Sequence, residues 1–251
     1  MKNKIDIFVP VYFRENLVVP AINSLVKSCE NSSLSVSIHI IDNNSNESLK
    51  QYLKSLNSDK IEITKDFMDS NIGKAKAINL LTNKYPDFSW FVNFDSDIIC
   101  TDINWLDKLY AACLVIDNAG MISVNYANNG NNPMPKQPKE ERLFNTFYGD
   151  MTLCWGGAVA GGCFMSPETL WRRLMYAETN FGVYGGIDGF YRLRMNSIGK
   201  KCGYISEIVL EHPKDTDVAY ANWKTSVHNN LRQKGFNADK ELIGNKRGFY
   251  D

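Results

Sequence analysis

The sequence predicts an α/β fold, in which a mainly parallel sheet is flanked by helices. Short apolar runs alternate with segments of helical spacing from residue 5 to residue 117, and several of these runs end in polar turn residues. The run that begins at Trp90 is rich in aromatic and β-branched side chains, which is typical of a buried central strand. A helix between two strands returns the chain to the same edge of the sheet, so neighbouring strands are expected to be parallel and their crossovers right-handed.

The first half of the chain alternates regularly. Its predicted strands are apolar and often β-branched, and they lie at 5–10, 36–41, 61–64 and 90–94. Its predicted helices have apolar residues three or four positions apart, and they lie at 17–28, 48–56, 72–81 and 105–117. A further short strand is expected at 121–124.

The second half is less regular. Residues 125–140 are rich in Asn, Pro and Gly and form the longest stretch without periodicity; such segments are usually functional or disordered. The elements expected beyond this stretch are strands at 163–165 and 204–210 and helices that start at Pro167, span 185–195 and span 218–234. We find no internal repeat.

Composition narrows the class of protein. The 28 Lys and Arg residues balance 28 Asp and Glu residues, so net charge does not predict binding to nucleic acid or to an anionic membrane. No run is apolar enough to cross a bilayer and no signal-peptide region precedes the first strand, so we expect a soluble, cytoplasmic protein. The six cysteines are scattered without a Cys-x-x-Cys pair, which favours reduced, mostly buried thiols over a zinc site.

Two aspartates follow the predicted central strand directly. Asp95-Ser96-Asp97 therefore lies at the carboxyl end of that strand, the edge where open α/β sheets bind ligands. One intervening serine lets both carboxylates reach a single hard cation through oxygen ligands. The alternative is an ordinary polar turn, since Asp and Ser are common turn residues.

Further motifs follow other predicted elements in a characteristic order. In the first half they are Pro10-Val11-Tyr12, Asp42-Asn43-Asn44-Ser45, the segment from Asn71 to Asn79, and Asp95-Ser96-Asp97. In the second half they are Gly161-Gly162-Cys163-Phe164-Met165 and Gly185-Gly186-Ile187-Asp188. Together these motifs, an Asp-x-Asp among them, resemble those of the GT-A glycosyltransferases, especially the large family two.

The resemblance covers about residues 5–212 and implies a GT-A, Rossmann-like fold. On that basis we treat 1–251 as a single domain. Its parts would be a nucleotide-sugar-binding half at 1–100, an acceptor half at 101–235 and a poorly packed tail at 236–251.

The resemblance also implies a set of donor contacts. Pro10, Val11 and Tyr12 would line the base pocket. Asp42 would accept a hydrogen bond from the uracil ring; the alternative is an Asx-turn after a strand. Lys76 lies where a basic residue meets the donor phosphates in this family, although a lysine on a helix is often simply solvated.

Asp95, Ser96 and Asp97 would form the centre of that donor site. By the resemblance, Asp95 reaches the ribose or a metal-bound water, and Asp97 ligates a divalent ion that bridges the diphosphate. His212, after the last predicted strand, would complete the metal shell; otherwise it is an exposed loop histidine. Both Mn²⁺ and Mg²⁺ suit oxygen ligands, so the choice between them stays open. His39, within a strand pattern, is expected to be structural.

Asp188 matches the aspartate of the family's Glu-Asp pair, which implies general-base catalysis on an acceptor hydroxyl. Ile187 stands where the family has the glutamate, and Phe190 replaces a common later acid. Contacts with the sugar acceptor are therefore expected to differ from those of the family. The alternative for Asp188 is a helix N-cap.

The sequence as a whole thus favours a metal-dependent, inverting glycosyltransferase that moves a sugar from a UDP-sugar to a hydroxyl, by default on a surface polysaccharide. A sugar nucleotidyltransferase is disfavoured, because no Gly-rich loop with Arg and Lys follows Val9. Ile187 and Phe190 keep open a catalytically silent nucleotide-sugar-binding module. A protein or a modified DNA base remains an alternative acceptor, although the neutral charge disfavours DNA. The oligomeric state is not predicted.

Overall fold

The computed structural model describes residues 4–127, 139–157, 159, 161–176, 187–214, 216, 218, 220, 222, 225 and 226. In that part of the chain the strands are β1 (Lys4–Val11), β2 (Ser35–Asp42), β3 (Glu62–Phe67), β4 (Trp90–Phe94), β5 (Ala119–Ala127), β6 (Glu140–Thr146), β7 (Gly149–Trp155), β8 (Cys163–Pro167) and β9 (Lys201–Glu211). The helices are α1 (Glu15–Glu30), α2 (Glu47–Ser55), α3 (Lys74–Lys84), α4 (Trp105–Val115), α5 (Glu168–Leu174) and α6 (Ile187–Ser197). The predicted α/β class is confirmed.

The nine strands described form one sheet, in the order β3-β2-β1-β4-β8-β5-β9-β7-β6. Its first four strands are parallel, and α1, α2 and α3 are the crossovers between them, as the alternation predicts. Successive residues of β1 face opposite sides: Ile5 and Ile7 pack with the core under α1 and α2, and Phe8 packs with the core under α3. Because helices cover both faces, β1 and β4 are apolar over most of their length, whereas the edge strand β3 is mostly polar.

The other half of the sheet is mixed. Strand β8 pairs antiparallel with both β4 and β5, whereas β9 pairs parallel with β5. A hairpin of β6 and β7 completes the edge, with β7 antiparallel to β9. The sheet is therefore parallel in its first half and mixed in its second.

The hairpin of β6 and β7 was not expected from the sequence. Strand β5 also continues through residues 125–127, which were assigned to the aperiodic stretch, and residues 128–138 lie outside the described residues. Most of β6 is exposed, so its apolar pattern is weak. Long-range pairing defines the hairpin instead, with Leu153 opposite Ile205. Its turn ends at Gly149, whose φ of 97° favours glycine.

Strand β4 lies between β1 and β8 and has Phe91, Val92 and Phe94 fully buried, as expected of a central strand. Along β3-β2-β1-β4 the chain order reverses at β1, because the chain first builds outwards to β3 and then returns to β4 on the other side. Ligands of open α/β sheets bind at such a reversal, outside the carboxyl ends of the strands. Asp95-Ser96-Asp97 follows β4 at this edge.

His39 is buried between the side chains of Asp6 (Nε2 to Oδ2, 2.9 Å) and Thr64 (Nδ1 to Oγ1, 2.8 Å), which confirms a structural role. The six cysteines are free, and all except the partly exposed Cys100 are buried.

Among the described residues, no helix has the length and apolarity needed to cross a membrane. Most of the predicted helix at 218–234, and all of the tail at 236–251, lie outside the described residues.

Candidate active site

The carboxyl ends of β1 and β2 hold the residues predicted to contact the base. Pro10 and Tyr12 are partly exposed there, but the Val11 side chain is fully buried in the core and its carbonyl accepts the Asn43 N–H at 2.8 Å. This burial does not favour contact of the Val11 side chain with a base, which stays a prediction. Asp42 is also fully buried, and both of its carboxylate oxygens lie 3.1 Å from the N–H of Ser45. This contact is the turn arrangement considered as the alternative; contact of Asp42 with a base stays a prediction.

Asp95 forms an ion pair with Lys74. Its Oδ1 lies 2.8 Å from the ammonium of Lys74, the first residue of α3. The same ammonium lies 3.1 and 3.2 Å from the two carboxylate oxygens of Asp188 in α6. A single cation therefore bridges the two carboxylates.

Asp188 has a second partner in Tyr176, whose hydroxyl donates to Oδ1 at 2.7 Å. Its side chain is 27 % exposed, so it remains accessible from solvent. Asp188 is the second residue of α6, and its carboxylate contacts Lys74 and Tyr176. The N-cap alternative does not account for these two contacts. Asn93, fully buried in β4, donates to the carbonyls of Gly161 and Gly162 at 2.8 and 3.0 Å and so holds the adjacent backbone in place.

Gly161 and Gly162 allow this close approach. A Cβ on Gly161 would lie 2.0 Å from Cγ of Asp188, far inside van der Waals contact. A Cβ on Gly162 would lie 2.8 Å from a methyl carbon of Ile98. The carbonyl of Gly162 also accepts the N–H of Asp95 at 2.7 Å. The resemblance to the family motif at these glycines therefore has a steric basis.

Lys74 and Asp95 shift each other's pKa values. Burial lowers the pKa of Lys74, but the negative charges of Asp188 and Asp95 outweigh this effect and raise it above the ordinary lysine value. Burial raises the pKa of Asp95; Lys74 opposes this increase, and the charges of Asp188 and Asp97 add to it. Lys74 is therefore a fixed positive charge between two acids.

Asp97 contacts a different set of residues. Its Oδ2 accepts from the guanidinium of Arg14 at 2.7 Å, and its Oδ1 lies 3.4 Å from Nε2 of His212. Burial alone would raise the pKa of Asp97, but hydrogen bonding with His212 and the charge of Arg14 hold it well below its usual value. Conversely, Asp97 raises the pKa of His212 against the effect of burial. The Arg14 guanidinium also lies 4.4 Å from the centre of the Tyr220 ring.

The backbone that presents Arg14 is strained. Phe13 and Arg14 both adopt left-handed conformations, with φ of 51° and 58°, directly after β1. For residues other than glycine this costs of order 1–3 kcal/mol each. The Phe13 N–H donates to Oγ of Ser45 at 2.9 Å, which helps to hold the turn. Strain of this kind is concentrated at functional sites.

The three predicted metal ligands do not converge on one point. In the described part of the chain, no group of three or more His, Cys, Asp or Glu side chains could hold a metal ion. Asp97 and His212 do lie together, and a carboxylate oxygen and an imidazole nitrogen are suitable donors for Mn²⁺. These two residues fit as a partial ligand set. Asp95 is directed to Lys74 instead.

The two lysines near the start of α3 lie in different environments. Lys76 is exposed on α3, whereas Lys74 reaches the acidic cluster. Residues two positions apart do not share a helix face, so only one of them can point inwards here. Ser96 is buried between the two aspartates. The site residues that sequence reasoning did not single out are Arg14, Lys74, Asn93 and Tyr176. For Lys74 the available signal was its place at the start of a helix that follows a strand, near the ligand-binding edge.

Solved glycosyltransferase structures share this fold at low sequence identity. TarS 1–349 of S. aureus matches with a TM-score of 0.61 and 15 % identity, over 83 % of this chain and 60 % of that one. The same TarS fragment has been solved with UDP-GlcNAc. The mannosyltransferase PcManGT from Pyrobaculum calidifontis, solved with GDP-Man and Mn²⁺, matches with a TM-score of 0.62 and 14 % identity, over 88 % of this chain and 60 % of that one.

GalNAc-T7, solved with UDP, GalNAc and Mn²⁺, matches with a TM-score of 0.60 and 16 % identity, over 84 % of this chain and 44 % of that one. At these identities the likeness shows the fold alone. The chain spans about 60 % or less of the length of these three proteins.

Sequence comparison gives the family. No curated protein matches the chain. The model of glycosyl transferase family 2 matches residues 6–170, which is more than half of the 251 residues. That match covers β1 to β4, the Asp95-Ser96-Asp97 segment and the glycines at 161 and 162. This chain therefore belongs to glycosyl transferase family 2.

Proposed function

We propose that this chain transfers a sugar from a UDP-sugar to a hydroxyl group of an acceptor, with inversion at the anomeric carbon. The observation that supports the proposal is the meeting of three acids at the carboxyl edge of β4. Asp97 lies with Arg14 and His212, while Asp95 and Asp188 share Lys74. One side of the cluster suits a diphosphate and the other suits an attacking hydroxyl.

Asp188 is the general base of the proposed reaction. Its carboxylate takes the proton of the acceptor hydroxyl as that oxygen bonds to the anomeric carbon. The bond between the anomeric carbon and the diphosphate oxygen breaks, and its electron pair leaves with the nucleoside diphosphate. Attack from the face opposite the leaving group inverts the configuration.

Arg14, Asp97 and His212 form the diphosphate side. The planar guanidinium of Arg14 matches the geometry of phosphate oxygens and carries a permanent charge. A divalent ion held by Asp97 and His212 would act as a Lewis acid and neutralise charge on the departing diphosphate. Both Mn²⁺ and Mg²⁺ suit the carboxylate oxygen of Asp97, so the proposal leaves the choice of ion open. In the same proposal, Pro10, Tyr12 and Asp42 contact the uracil ring.

The second candidate is a nucleotide-sugar-binding module without catalysis. It was suggested by Ile187 and Phe190, which stand where the family has acids. Both side chains are buried in the core beside α6, at 4 % and 8 % exposure. They are packing residues here, and the carboxylate of Asp188 remains accessible without them. We therefore favour the enzyme, with a surface polysaccharide as the proposed acceptor.

The proposal is tested first by binding and then by turnover. A panel of UDP- and GDP-sugars is screened for thermal stabilisation with Mn²⁺, Mg²⁺ or EDTA, because a ligand of the native state raises stability. We expect stabilisation by UDP and its sugars that depends on a divalent ion. Release of nucleoside diphosphate is then followed with candidate glycans, proteins and modified DNA as acceptors. Binding without release from any donor would support the silent module instead.

A further inference from the structure

Lys74 connects carboxylates from two parts of the molecule. It begins α3, which follows β3 in the parallel half, and its ammonium contacts Asp95 at 2.8 Å. On its other side it contacts Asp188, in the first turn of α6, at 3.1 and 3.2 Å. The proposed base is thus held against the edge of the sheet that would receive the donor.

The contact is enclosed by its surroundings. The Lys74 side chain is only 17 % exposed, and its ammonium lies 3.4 Å from the carbonyl of Gly161 and 5.9 Å from the centre of the Tyr176 ring. Gly161 leaves no room for a side chain, since a Cβ there would overlap Asp188. An ion pair between solvent-exposed side chains contributes little to stability and does not fix a geometry. The enclosure of Lys74 favours a defined position for the carboxylate of Asp188.

The two oxygens of Asp188 are used unequally. Oδ1 accepts from Tyr176 at 2.7 Å and from Lys74 at 3.1 Å, whereas Oδ2 accepts from Lys74 at 3.2 Å. A carboxylate oxygen has two lone pairs, so the described contacts occupy both on Oδ1 and one on Oδ2. Oδ2 keeps room for one further donor. That donor can be the hydroxyl of a sugar acceptor.

We propose that Lys74 is the positioning residue for Asp188. The proposal rests on the proposed function, in which Asp188 is the base. The Lys74 ammonium separates the like charges of Asp95 and Asp188 and, together with Tyr176, holds Asp188 with Oδ2 directed towards the acceptor. Without Lys74 the two carboxylates repel each other, and Tyr176 alone holds Asp188. Lys74 touches no reacting atom and acts through Asp188.

The first test compares two lysines of the same helix. Lys74→Met removes the bridge, while Lys84→Met removes an exposed lysine that pairs with Asp66 at the other end of α3. We expect Lys74→Met to lower the kcat of sugar transfer by about 10–100-fold. General-base catalysis accelerates a reaction by roughly 10²–10⁴-fold, and only part of that acceleration should be lost. Lys74→Arg, which keeps the charge, should restore part of the rate. Lys84→Met should keep the parental kcat.

The second test asks whether Lys74 acts through Asp188. In an Asp188→Asn background, Lys74→Met should cause little further loss, because effects of residues that act as a unit are not additive. A further loss as large as in the parental background would overturn the proposal. That result would indicate a direct contact of Lys74 with the donor.

A crystal structure of Lys74→Met gives a readout that needs no substrate. We expect the Asp188 carboxylate to turn away from Asp95. Lys74→Gln, which keeps hydrogen-bonding groups but removes the charge, replaces the Met variant if that variant does not fold. An Asp188 side chain that stays in place in either variant would end the role of Lys74. A parental enzyme that releases no nucleoside diphosphate from any donor would instead end the proposed function, so the two failures are distinguishable.

Discussion

Two aspartates of one short segment lie in different environments. Asp95 shares a lysine with another acid, and its pKa is raised by burial and by neighbouring negative charge. Asp97, two residues later, lies between Arg14 and His212, which hold its pKa low despite burial. Asp95 therefore belongs with the proposed base, and Asp97 belongs with the proposed diphosphate site. In the proposed reaction, one turn at the end of β4 would thus serve both the base and the diphosphate.

Asp188→Asn should have the largest effect on the side of Asp95. The amide cannot accept the hydroxyl proton, so transfer should fall by roughly 10²–10⁴. Donor affinity should survive, because Asp97 and Asp42 are untouched. The measurement is the transfer rate beside the dissociation constant for UDP. Asp188→Ala is the harsher companion, since it also removes the contact with Tyr176. Transfer at the parental rate by the Asn variant would leave the mechanism without its base.

Asp97→Asn should have the next largest effect, on the other side. Loss of an outer-shell partner of a metal costs about 10–100-fold in affinity. Asp97 is a direct ligand in the proposal, so its loss should weaken metal-assisted UDP binding by at least that factor. Asp95→Asn should affect this affinity less, because Asp95 is directed to Lys74. Calorimetry of UDP binding with Mn²⁺ and with EDTA compares the two variants. Equal losses, or UDP affinity that is the same with and without chelator, would contradict the division between the aspartates.

Gly161→Ala should disturb the side of Asp95 by steric means. Its Cβ would overlap Asp188, and overpacking of this kind costs about 1–3 kcal/mol of unfolding free energy. Gly189→Ala is the matched control, because nothing lies within 4 Å of a Cβ there and alanine favours a helix by about 0.5–1 kcal/mol. Denaturant unfolding and transfer rates of both variants would be compared. If Gly161→Ala is as stable as the parent, the close packing against Asp188 is not required.

The smallest effect is expected from the pair of His212 and Asp97 in the presence of EDTA. The folded pKa of His212 is raised above the ordinary 6.5. The stabilisation of the folded state by protonated His212 should therefore be complete below that ordinary pKa. It should be lost as the pH rises through the raised pKa of the folded state. Unfolding free energies of the parent and His212→Gln should differ at low pH and converge at high pH. A difference that grows with pH would have the wrong sign for this pair.

The fold was predictable where local patterns define it. Strands β1 to β4 and their helices follow from apolar runs and helical spacing, because each helix must cover the sheet beside its own strands. The hairpin of β6 and β7 gives no such signal. Leu143 is 65 % exposed within β6, and the register of β7 depends on β9, which lies some 50 residues further along the chain.

The site was predictable in part for the same reason. Asp95, Asp97 and His212 follow strands directly, so the strand pattern brings them to one edge. Choosing Lys74 over Lys76 required knowing where α3 begins, and helix ends are the least certain feature of a sequence prediction. Tyr176 and Arg14 lie in irregular segments, and no periodicity points to them.

The two left-handed residues after β1 imply a compromise between stability and function. Glycine adopts φ values such as those of Phe13 and Arg14 without steric cost. Substitution by glycine at these two positions would therefore be expected to raise stability, and a screen for stable variants would select it. Glycine at 14 would remove the guanidinium that contacts Asp97, and glycine at 13 would loosen the turn that presents it. Stabilised variants selected without an activity screen would be expected to lose the proposed donor binding first.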